Sequence, residues 1–158
     1  MIIISEQKND VIDKIKKTIK SNTSKKIFFH KDYNYKKNTK SFIYNDNFGQ
    51  IDLPLPNLLG DFQISNVATA VATVRNLNKF NINKNHISKA IKKIRSEGRL
   101  QSITEGKLRN LVSKNNEIII DGAHNPLAAL EIKKYLKTLN DKKKIIMVLG
   151  MMANKEHK

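Results

Sequence analysis

Short apolar runs along the chain predict β-strands. Several of them, such as Ile2-Ile3-Ile4, consist of β-branched residues, which suit a strand that is buried in a sheet. Asn45-Asp46-Asn47 is a strong turn signal between two of the runs and therefore predicts a β-hairpin. Residues 31–40 are predicted to be a polar connection, in which Tyr33 and Tyr35 pack at a sheet edge. The predicted strands are residues 2–4, 27–29, 41–44, 48–53, 108–112, 118–120 and 145–149.

Apolar residues that recur at helical spacing predict helices between these strands. The helices span residues 7–20, 61–77 and 83–95, and a further one begins at Pro126. Lysines occupy the opposite faces, which are most simply solvated. The alternation of strands and helices places the chain in the α/β class. The residues predicted to face inward are Val11, Ile12, Ile15, Ile19, Val67, Ala70, Val71, Val74, Leu77, Ile87, Ala90, Ile91, Ile94, Ala128, Ile132, Tyr135, Leu136 and Leu139.

The junction between the run 118–120 and the helix from Pro126 is rich in polar residues. Asn125 suits the N-cap position, and proline suits the first helical turn because it lacks an N–H that would have no partner there. Together with the run 145–149, this stretch predicts a β-α-β unit, whose first strand is buried on both faces and ends at Asp121. Ligands of open α/β sheets bind at the carboxyl ends of the strands, so a site is expected here.

The side chains at this edge suggest what such a site would bind. The carboxylate of Asp121 can hold ribose hydroxyls or a metal, and the imidazole of His124 can hold a carboxylate or a phosphate. The alternative is that Asp121 and Asn125 only cap the helix while His124 is solvated. Gln63 and Asn66 form a second candidate pair, because they lie three residues apart near a helix start and can share one site. Its alternative is a hydrogen bond from these amides to a neighbouring loop.

Three stretches, in order along the chain, resemble motifs of the folylpolyglutamate synthase/dihydrofolate synthase family, a branch of the Mur ligase superfamily. Leu53-Pro54-Leu55-Pro56 and then Gly60-Asp61-Phe62-Gln63-Ile64-Ser65-Asn66 resemble its leucine-proline lead into a Gly-x-x-Gln-x-x-Asn helix. Gly98-Arg99-Leu100-Gln101 resembles the start of its C-terminal domain. Asp121-Gly122-Ala123-His124-Asn125-Pro126 resembles the motif that opens that domain's first β-α unit. Three ordered matches are far more specific than one.

The resemblance implies a fold and an activity. The fold is α/β, with the end of a Mur-ligase-type central ATP-binding domain at residues 1–97 and the start of a Rossmann-like C-terminal domain at residues 98–158. The activity is that of a ligase that uses ATP and Mg²⁺ to phosphorylate the carboxylate of dihydropteroate or (tetrahydro)folate. The amine of L-glutamate then attacks the acyl phosphate, which yields an amide, ADP and phosphate. A monomeric, cytoplasmic enzyme is expected.

The resemblance also assigns roles to individual residues. Asn66, Arg99 and Asp121 match ATP contacts, with Asn66 on the adenine or ribose side and Arg99 at a phosphate or the ribose. His124 matches a residue associated with the incoming glutamate and is the predicted catalytic residue. Lys155-Glu156 falls in a loop where the family usually has Lys-Asp.

Departures from the family pattern limit what these residues can do alone. No Gly-x-x-x-x-Gly-Lys-[Ser/Thr] phosphate loop occurs in the sequence. The family's magnesium ligands and its modified lysine are expected upstream, so no metal ligand is predicted here. Asp61-Phe62 replaces the usual basic residue and histidine. We therefore expect an internal fragment that is inactive by itself.

Charge and composition bear on the possible partners. A formal net charge of +16 ordinarily indicates nucleic acid. Arginine, the preferred base reader, occurs at only four positions, however, and the lysines are spread over every predicted helix, so no nucleic-acid partner is expected. The absence of cysteine excludes disulfides and is compatible with a reducing compartment. No apolar run approaches the ~20 residues of a membrane span, and no membrane partner is expected.

Two alternative interpretations stay open. A peptidoglycan-type Mur ligase shares the Asp-x-x-His-Asn-Pro pattern, but Tyr-Ala-His or similar is then expected where this chain has Gly122-Ala123-His124. A basic nucleic-acid-binding module would be retained tightly on DNA near physiological salt, with a steep dependence on salt concentration.

Overall fold

The computed structural model describes residues 1–139 and 144–152. Strands and helices occur together along the chain, as the predicted α/β class requires. They are β1 (Ile2–Ile4), α1 (Asn9–Thr18), β2 (Lys26–Phe28), β3 (Tyr33–Lys37), β4 (Ser41–Asp46), β5 (Gly49–Pro54), α2 (Phe62–Arg75), α3 (Lys84–Lys93), β6 (Gln101–Ser102), α4 (Lys107–Asn110), β7 (Ile119–Ile120) and α5 (Pro126–Leu136). Within the described ranges, no helix is long and apolar enough to cross a membrane.

The chain divides into two compact units. Unit 1 comprises Met1–Asn57 and Gln63–Ile94, and unit 2 comprises Leu58–Phe62 and Arg95–Lys158. The predicted assignment of residues 1–97 and 98–158 to a central and a C-terminal domain stays a prediction.

Unit 1 begins with a β-α-β crossover. β1 pairs in parallel with β2, with Ile3 opposite Ile27, and α1 connects the two strands. The predicted apolar stripe of α1 is confirmed, because the half-buried residues of this helix and its C-cap are Val11, Ile12, Ile15 and Ile19. The exposed lysines lie between them in the sequence, as an amphipathic surface helix requires.

An antiparallel sheet in the order β3-β4-β5 supplies the largest buried side chains of unit 1. The predicted hairpin is confirmed, with Asp46 opposite Gly49 across the turn Asn47-Phe48. The largest fully buried side chains are Tyr33, Phe42, Tyr44 and Leu53, all from this sheet. They belong to one hydrophobic cluster with the buried apolar residues of α2 and α3, which are Ile64, Val67, Ala68, Val71, Ala72, Ile87 and Ile91.

The predicted polar connection at residues 31–40 is wrong, because residues 33–37 form β3. Tyr33 is only 2% exposed and its hydroxyl lies 3.1 Å from both the Ile4 carbonyl oxygen and the Thr69 hydroxyl. Tyr35 is half-buried while Asn34 and Lys36 are exposed, which is the alternation of a strand with one face on a core. The polar composition concealed this alternation, and pairing with β4 shows that β3 is part of the sheet.

Two alanines were placed on the wrong helix face. Ala70 of α2 and Ala90 of α3 are exposed, whereas Ala68 and Ala72 are fully buried. Alanine is tolerated on either face of a helix, so its position depends on the phase that the larger side chains impose. In α2 that phase follows the series 64, 67, 68, 71 and 72.

Unit 2 contains an antiparallel pair instead of the predicted buried parallel strand. Gln101 of β6 lies opposite Ile120 of β7, and Ile120 is 39% exposed, so burial of this run on both faces is wrong. The predicted strand at residues 108–112 is also wrong, because α4 begins at Lys107. The Arg109 guanidinium donates to the carbonyl oxygens that follow α4, which ends the helix in a tight local turn.

The predicted strand at residues 145–149 is absent, and with it the β-α-β unit. Residues 144–150 have no regular secondary structure, and Ile146 and Val148 are 80% and 94% exposed. An apolar run favours an extended and buried conformation, but a strand forms only where a neighbouring strand accepts and donates its backbone hydrogen bonds. Within the described part of the chain, no strand pairs with this run. Lys142 and Lys143, predicted to follow a short turn before this run, fall outside the described residues.

Candidate functional site

Two loops of unit 2 are held together by backbone hydrogen bonds. One is Gly98–Gln101, which precedes β6, and the other is the stretch after β7 that begins at Asp121. Gly122 N–H donates to the Gly98 carbonyl oxygen over 2.8 Å. Leu100 N–H donates to Asp121 Oδ2 over 2.7 Å. The structure therefore brings the Gly-Arg-Leu-Gln and Asp-Gly-Ala-His-Asn-Pro stretches together.

The Asp121 carboxylate is used by the backbone on both oxygens. Besides the bond from Leu100, Oδ1 accepts from Ala123 N–H over 2.7 Å, and the side chain is half-buried. Asp121 does not cap α5, so the interpretation of this residue as a helix cap is wrong. Its carboxylate instead links the end of β7 to the arginine-bearing loop.

Arg99 lies at the tip of its loop, between two residues in left-handed backbone conformation. Gly98 has φ +63° and Leu100 has φ +45°. For a bulky residue such as leucine this conformation costs about 1–2 kcal/mol. The Leu100 side chain is only 3% exposed, and a Cβ added to Gly60 would lie 3.0 Å from its Cδ1, so the leucine is tightly packed. Arg99 is exposed, and no hydrogen bond or ion pair engages its guanidinium within the described residues.

The start of α5 matches the predicted capping chemistry. Asn125 is the N-cap and its Oδ1 accepts from Ala128 N–H over 2.9 Å, with Pro126 in the first turn. His124 is exposed, with Nδ1 2.9 Å from the Gly122 carbonyl oxygen. Since a carbonyl oxygen only accepts, Nδ1 carries the proton, and Nε2 of the neutral ring remains an acceptor.

The amide pair of α2 belongs to unit 1. Asn66 is exposed and its Nδ2 donates to Gln63 Oε1 over 3.2 Å, so the two side chains are in direct contact. Gln63 is only 4% exposed, and its Nε2 has no hydrogen-bond partner among the described residues. Asn66 therefore presents its carbonyl oxygen as the free acceptor of the pair.

Other predictions about the site lie beyond what the structure describes. Lys155-Glu156 falls outside the described residues. In the described part of the chain, no group of three or more His, Asp or Glu residues could hold a metal ion. No ligand set for Mg²⁺ is therefore identified among the described residues. The exposed Arg99 guanidinium fits an anionic ligand such as a nucleotide phosphate, whereas His124 Nε2 fits a hydrogen-bond donor such as an ammonium group.

Leu100 and Gln101 were not predicted to shape the site. Gln101 Oε1 accepts from Gly98 N–H over 2.9 Å and so closes the loop around Arg99. The sequence signal that could have identified them is their position next to Arg99 in the Gly-Arg-Leu-Gln motif. The left-handed conformation of Leu100 has no signature in the sequence, because leucine rarely adopts it.

Comparisons with known proteins found a family model and several solved structures that are similar to this chain. The family described as Mur ligase, glutamate ligase domain, matches residues 98–158. A solved FPGS–AMPPCP–folate complex superposes with a TM-score of 0.71 at 24% identity, covering 89% of this chain and 34% of that one. The structure of Escherichia coli FolC with DHPP and ADP gives 0.68 at 26% identity, covering 84% and 29%.

Two curated proteins are also similar to this chain in sequence. Dihydrofolate synthetase of Saccharomyces cerevisiae is 28% identical over 118 residues, which are 73% of this chain and 27% of that protein. Dihydrofolate synthase/folylpolyglutamate synthase of Escherichia coli is 29% identical over 126 residues, which are 79% and 26%. The chain thus spans about a quarter of the length of these relatives.

The chain is therefore similar to Mur ligases, since the model of their glutamate ligase domain matches residues 98–158. The curated relatives and the Escherichia coli structure that it resembles are dihydrofolate and folylpolyglutamate synthases.

Proposed function

We propose that this chain is part of an ATP-dependent ligase that adds L-glutamate to dihydropteroate or tetrahydrofolate, and that the 158-residue chain is inactive by itself. The observation that carries the proposal is the joining of the Arg99 loop to the β7–α5 junction through Asp121. This arrangement holds in one unit the exposed imidazole of His124 and the guanidinium of Arg99, which has no partner among the described residues. The relatives named for folate ligation support this substrate class over a peptidoglycan precursor.

The reaction proposed for the complete protein has two steps. The substrate carboxylate attacks the γ-phosphorus of ATP, which forms an acyl phosphate and releases ADP. The amine of glutamate then attacks the acyl carbon, a proton leaves the nitrogen, and inorganic phosphate departs. Mg²⁺ would neutralise phosphate charge in the first step, held by residues outside those of the described site.

The residues of this chain have distinct roles in the proposal. The Arg99 guanidinium donates to a phosphate or the ribose of ATP, since its planar fork matches such oxygens. The Asn66 carbonyl oxygen accepts a hydrogen bond from the adenine or the ribose. Asp121 is the third proposed ATP contact. His124 Nε2 accepts a hydrogen bond from the ammonium group of the incoming glutamate. The imidazole thereby orients the amine and can take a proton from it.

The absence of a phosphate loop from these residues supports inactivity of the isolated chain. Phosphoryl transfer depends on positioning of the phosphates, and backbone N–H groups of such a loop supply it. The proposal also includes a cytoplasmic monomer with no nucleic-acid or membrane partner.

The test compares the 158-residue chain with the longer protein encoded by the reading frame that contains it. ADP release dependent on glutamate and on either dihydropteroate or tetrahydrofolate is measured for both. We expect turnover by the longer protein and none by the chain alone. In the longer protein, Arg99→Ala should raise the KM for ATP by about 10- to 100-fold, as expected for loss of a hydrogen bond to a charged group.

The same experiment discriminates between the alternatives. Turnover by the isolated chain would refute its proposed inactivity. Failure of the longer protein with both pterin substrates, together with turnover of a UDP-muramoyl substrate, would instead assign it to the peptidoglycan-type Mur ligases.

A further inference from the structure

The backbone around Arg99 is held in an unusual conformation by specific bonds. Leu100 has φ +45°, although only glycine and a few short polar residues adopt this region readily. Its N–H donates to Asp121 Oδ2 over 2.7 Å, and its side chain is buried. Without the carboxylate, nothing else recorded in the described residues accepts the hydrogen bond of this N–H.

Further bonds close the loop on the other side of Arg99. Gly98 N–H donates to Gln101 Oε1 over 2.9 Å, and the Gly98 carbonyl oxygen accepts from Gly122 N–H over 2.8 Å. Both neighbours of Arg99 are therefore fixed by hydrogen bonds. The direction in which Arg99 leaves the backbone follows from those bonds, because its own side chain has no partner in the described residues.

We infer that Asp121, besides the ATP contact proposed for it, is a positioning residue that orients Arg99 for nucleotide binding. Each oxygen of its carboxylate is already bonded to a backbone N–H, one from Leu100 and one from Ala123. The carboxylate holds the left-handed turn at Leu100 and so orients the guanidinium before the nucleotide arrives. Gln101 supports the same orientation from the Gly98 side. This inference rests on the proposed role of Arg99 as a nucleotide contact.

A double-mutant cycle in the longer protein tests the coupling. KM for ATP and kcat are measured for Arg99→Ala, Asp121→Asn and the double variant. We expect Asp121→Asn to raise the KM for ATP by about 10-fold when Arg99 is present, and by a clearly smaller factor when Arg99 is already alanine. Multiplicative effects of the two substitutions would overturn the inference, because Asp121 would then act on the nucleotide independently of Arg99.

The cycle also separates this inference from the proposed function. If Arg99→Ala alone leaves the KM for ATP unchanged, the nucleotide role of Arg99 is wrong and the inference fails with it. If Arg99→Ala raises the KM but the two effects multiply, the proposed function stands and only the positioning role is lost.

A second variant and a structural measurement guard against misfolding. Gln101→Ala removes the Gly98 bond without altering Asp121, and should raise the KM for ATP only when Arg99 is present. In NMR spectra of the 158-residue chain, Asp121→Asn should shift the amide resonances of Leu100 and Ala123 and speed their hydrogen exchange. An unprotected Leu100 amide in the unsubstituted chain would contradict the inference.

Asp32 offers a matched control in unit 1. Its Oδ2 accepts from Phe28 N–H over 2.8 Å, which is the same kind of bond that Asp121 makes with Leu100. Asp32→Asn should shift the Phe28 amide resonance and leave the KM for ATP within about twofold of the unsubstituted enzyme. A rise in KM as large as that of Asp121→Asn would show that loss of any such bond has this effect, and would overturn the specific role of Asp121.

Discussion

At the residue scale, the buried ion pair between Asp46 and Arg75 connects two elements of unit 1. The guanidinium of Arg75 donates to both carboxylate oxygens over 2.9 Å, and the side chains are 14% and 4% exposed for Arg75 and Asp46. Tyr44 hydroxyl and Phe48 N–H also donate to the carboxylate. The guanidinium lies 5.8 Å and 5.7 Å from the Tyr44 and Phe48 ring centroids, within cation–π range. The pair joins the end of α2 to the β4–β5 turn.

Removing one partner of this pair should be strongly destabilising. Arg75→Ala leaves a buried carboxylate without its counter-charge, and we expect the free energy of unfolding to fall by about 3–5 kcal/mol. The control is Asp13→Ala, which breaks a 3.9 Å pair with Lys16 whose side chains are 58% and 69% exposed. That loss should be below about 1 kcal/mol. Urea unfolding measures both, and similar losses for the two variants would contradict this account.

At the scale of elements, α2 and β3 illustrate which patterns can be interpreted and which cannot. The valines of α2 correctly located its buried face, but the alanines beside them did not reveal which of them lie inside. Strand β3 was missed because three of its five residues are Asn or Lys, although the two tyrosines alternate as they should. Hydrophobic periodicity therefore locates elements best where large apolar residues mark every inward position.

Two alanines of α2 provide a direct test of its packing. Ala72 is fully buried and Ala70 is exposed on the same helix. Ala72→Leu should lower the free energy of unfolding by about 1–3 kcal/mol, because the core has no space for a larger side chain. Ala70→Leu, the same chemical change, should alter it by less than about 0.5 kcal/mol. Thermal or urea unfolding distinguishes them, and equal effects would mean that the helix face is misassigned.

At the scale of the whole molecule, the surface is strongly basic, whereas two tyrosines are buried in the core. The net charge of +16 comes from lysines that are mostly exposed, so it acts on solubility and on partners more than on the fold. Tyr33 and Tyr44 lie in the core instead. Burial raises the pKa of Tyr44 above its ordinary value of 10.0, and the adjacent Asp46 carboxylate raises it further. Burial also raises the pKa of Tyr33.

These shifts predict loss of stability in alkaline solution. A folded-state pKa above the unfolded value of 10.0 means that the unfolded chain releases the phenol proton first. The stabilisation is therefore complete below about pH 10 and is lost as the pH rises above it. The measurement is the free energy of unfolding from pH 8 to 11. The free energy of unfolding of the Tyr44→Phe variant should decline less steeply with pH than that of the unsubstituted chain. Identical slopes would refute the contribution of Tyr44. Lysines also titrate in this range, and the comparison between variants cancels them.

The sequence by itself determined the features that depend on short segments. Strand β1, the β4–β5 hairpin, the stripe of α1 and the Asn125 cap of α5 all follow from local spacing and turn chemistry. The three motifs likewise pointed to the same proteins that the comparisons found to be similar to this chain. Each of these depends on residues within a few positions of one another, so the local pattern contains the information.

The tertiary structure alone decided which segments pair and what Asp121 does. The run 145–149 has the composition of a strand but no partner in the described residues, and β7 pairs antiparallel with β6. Asp121 bonds a residue 21 positions away in the chain, and that contact holds Leu100 in a conformation that its side chain disfavours. Strand pairing and a strained turn depend on hydrogen-bond partners that are distant in sequence, and local pattern contains no record of them.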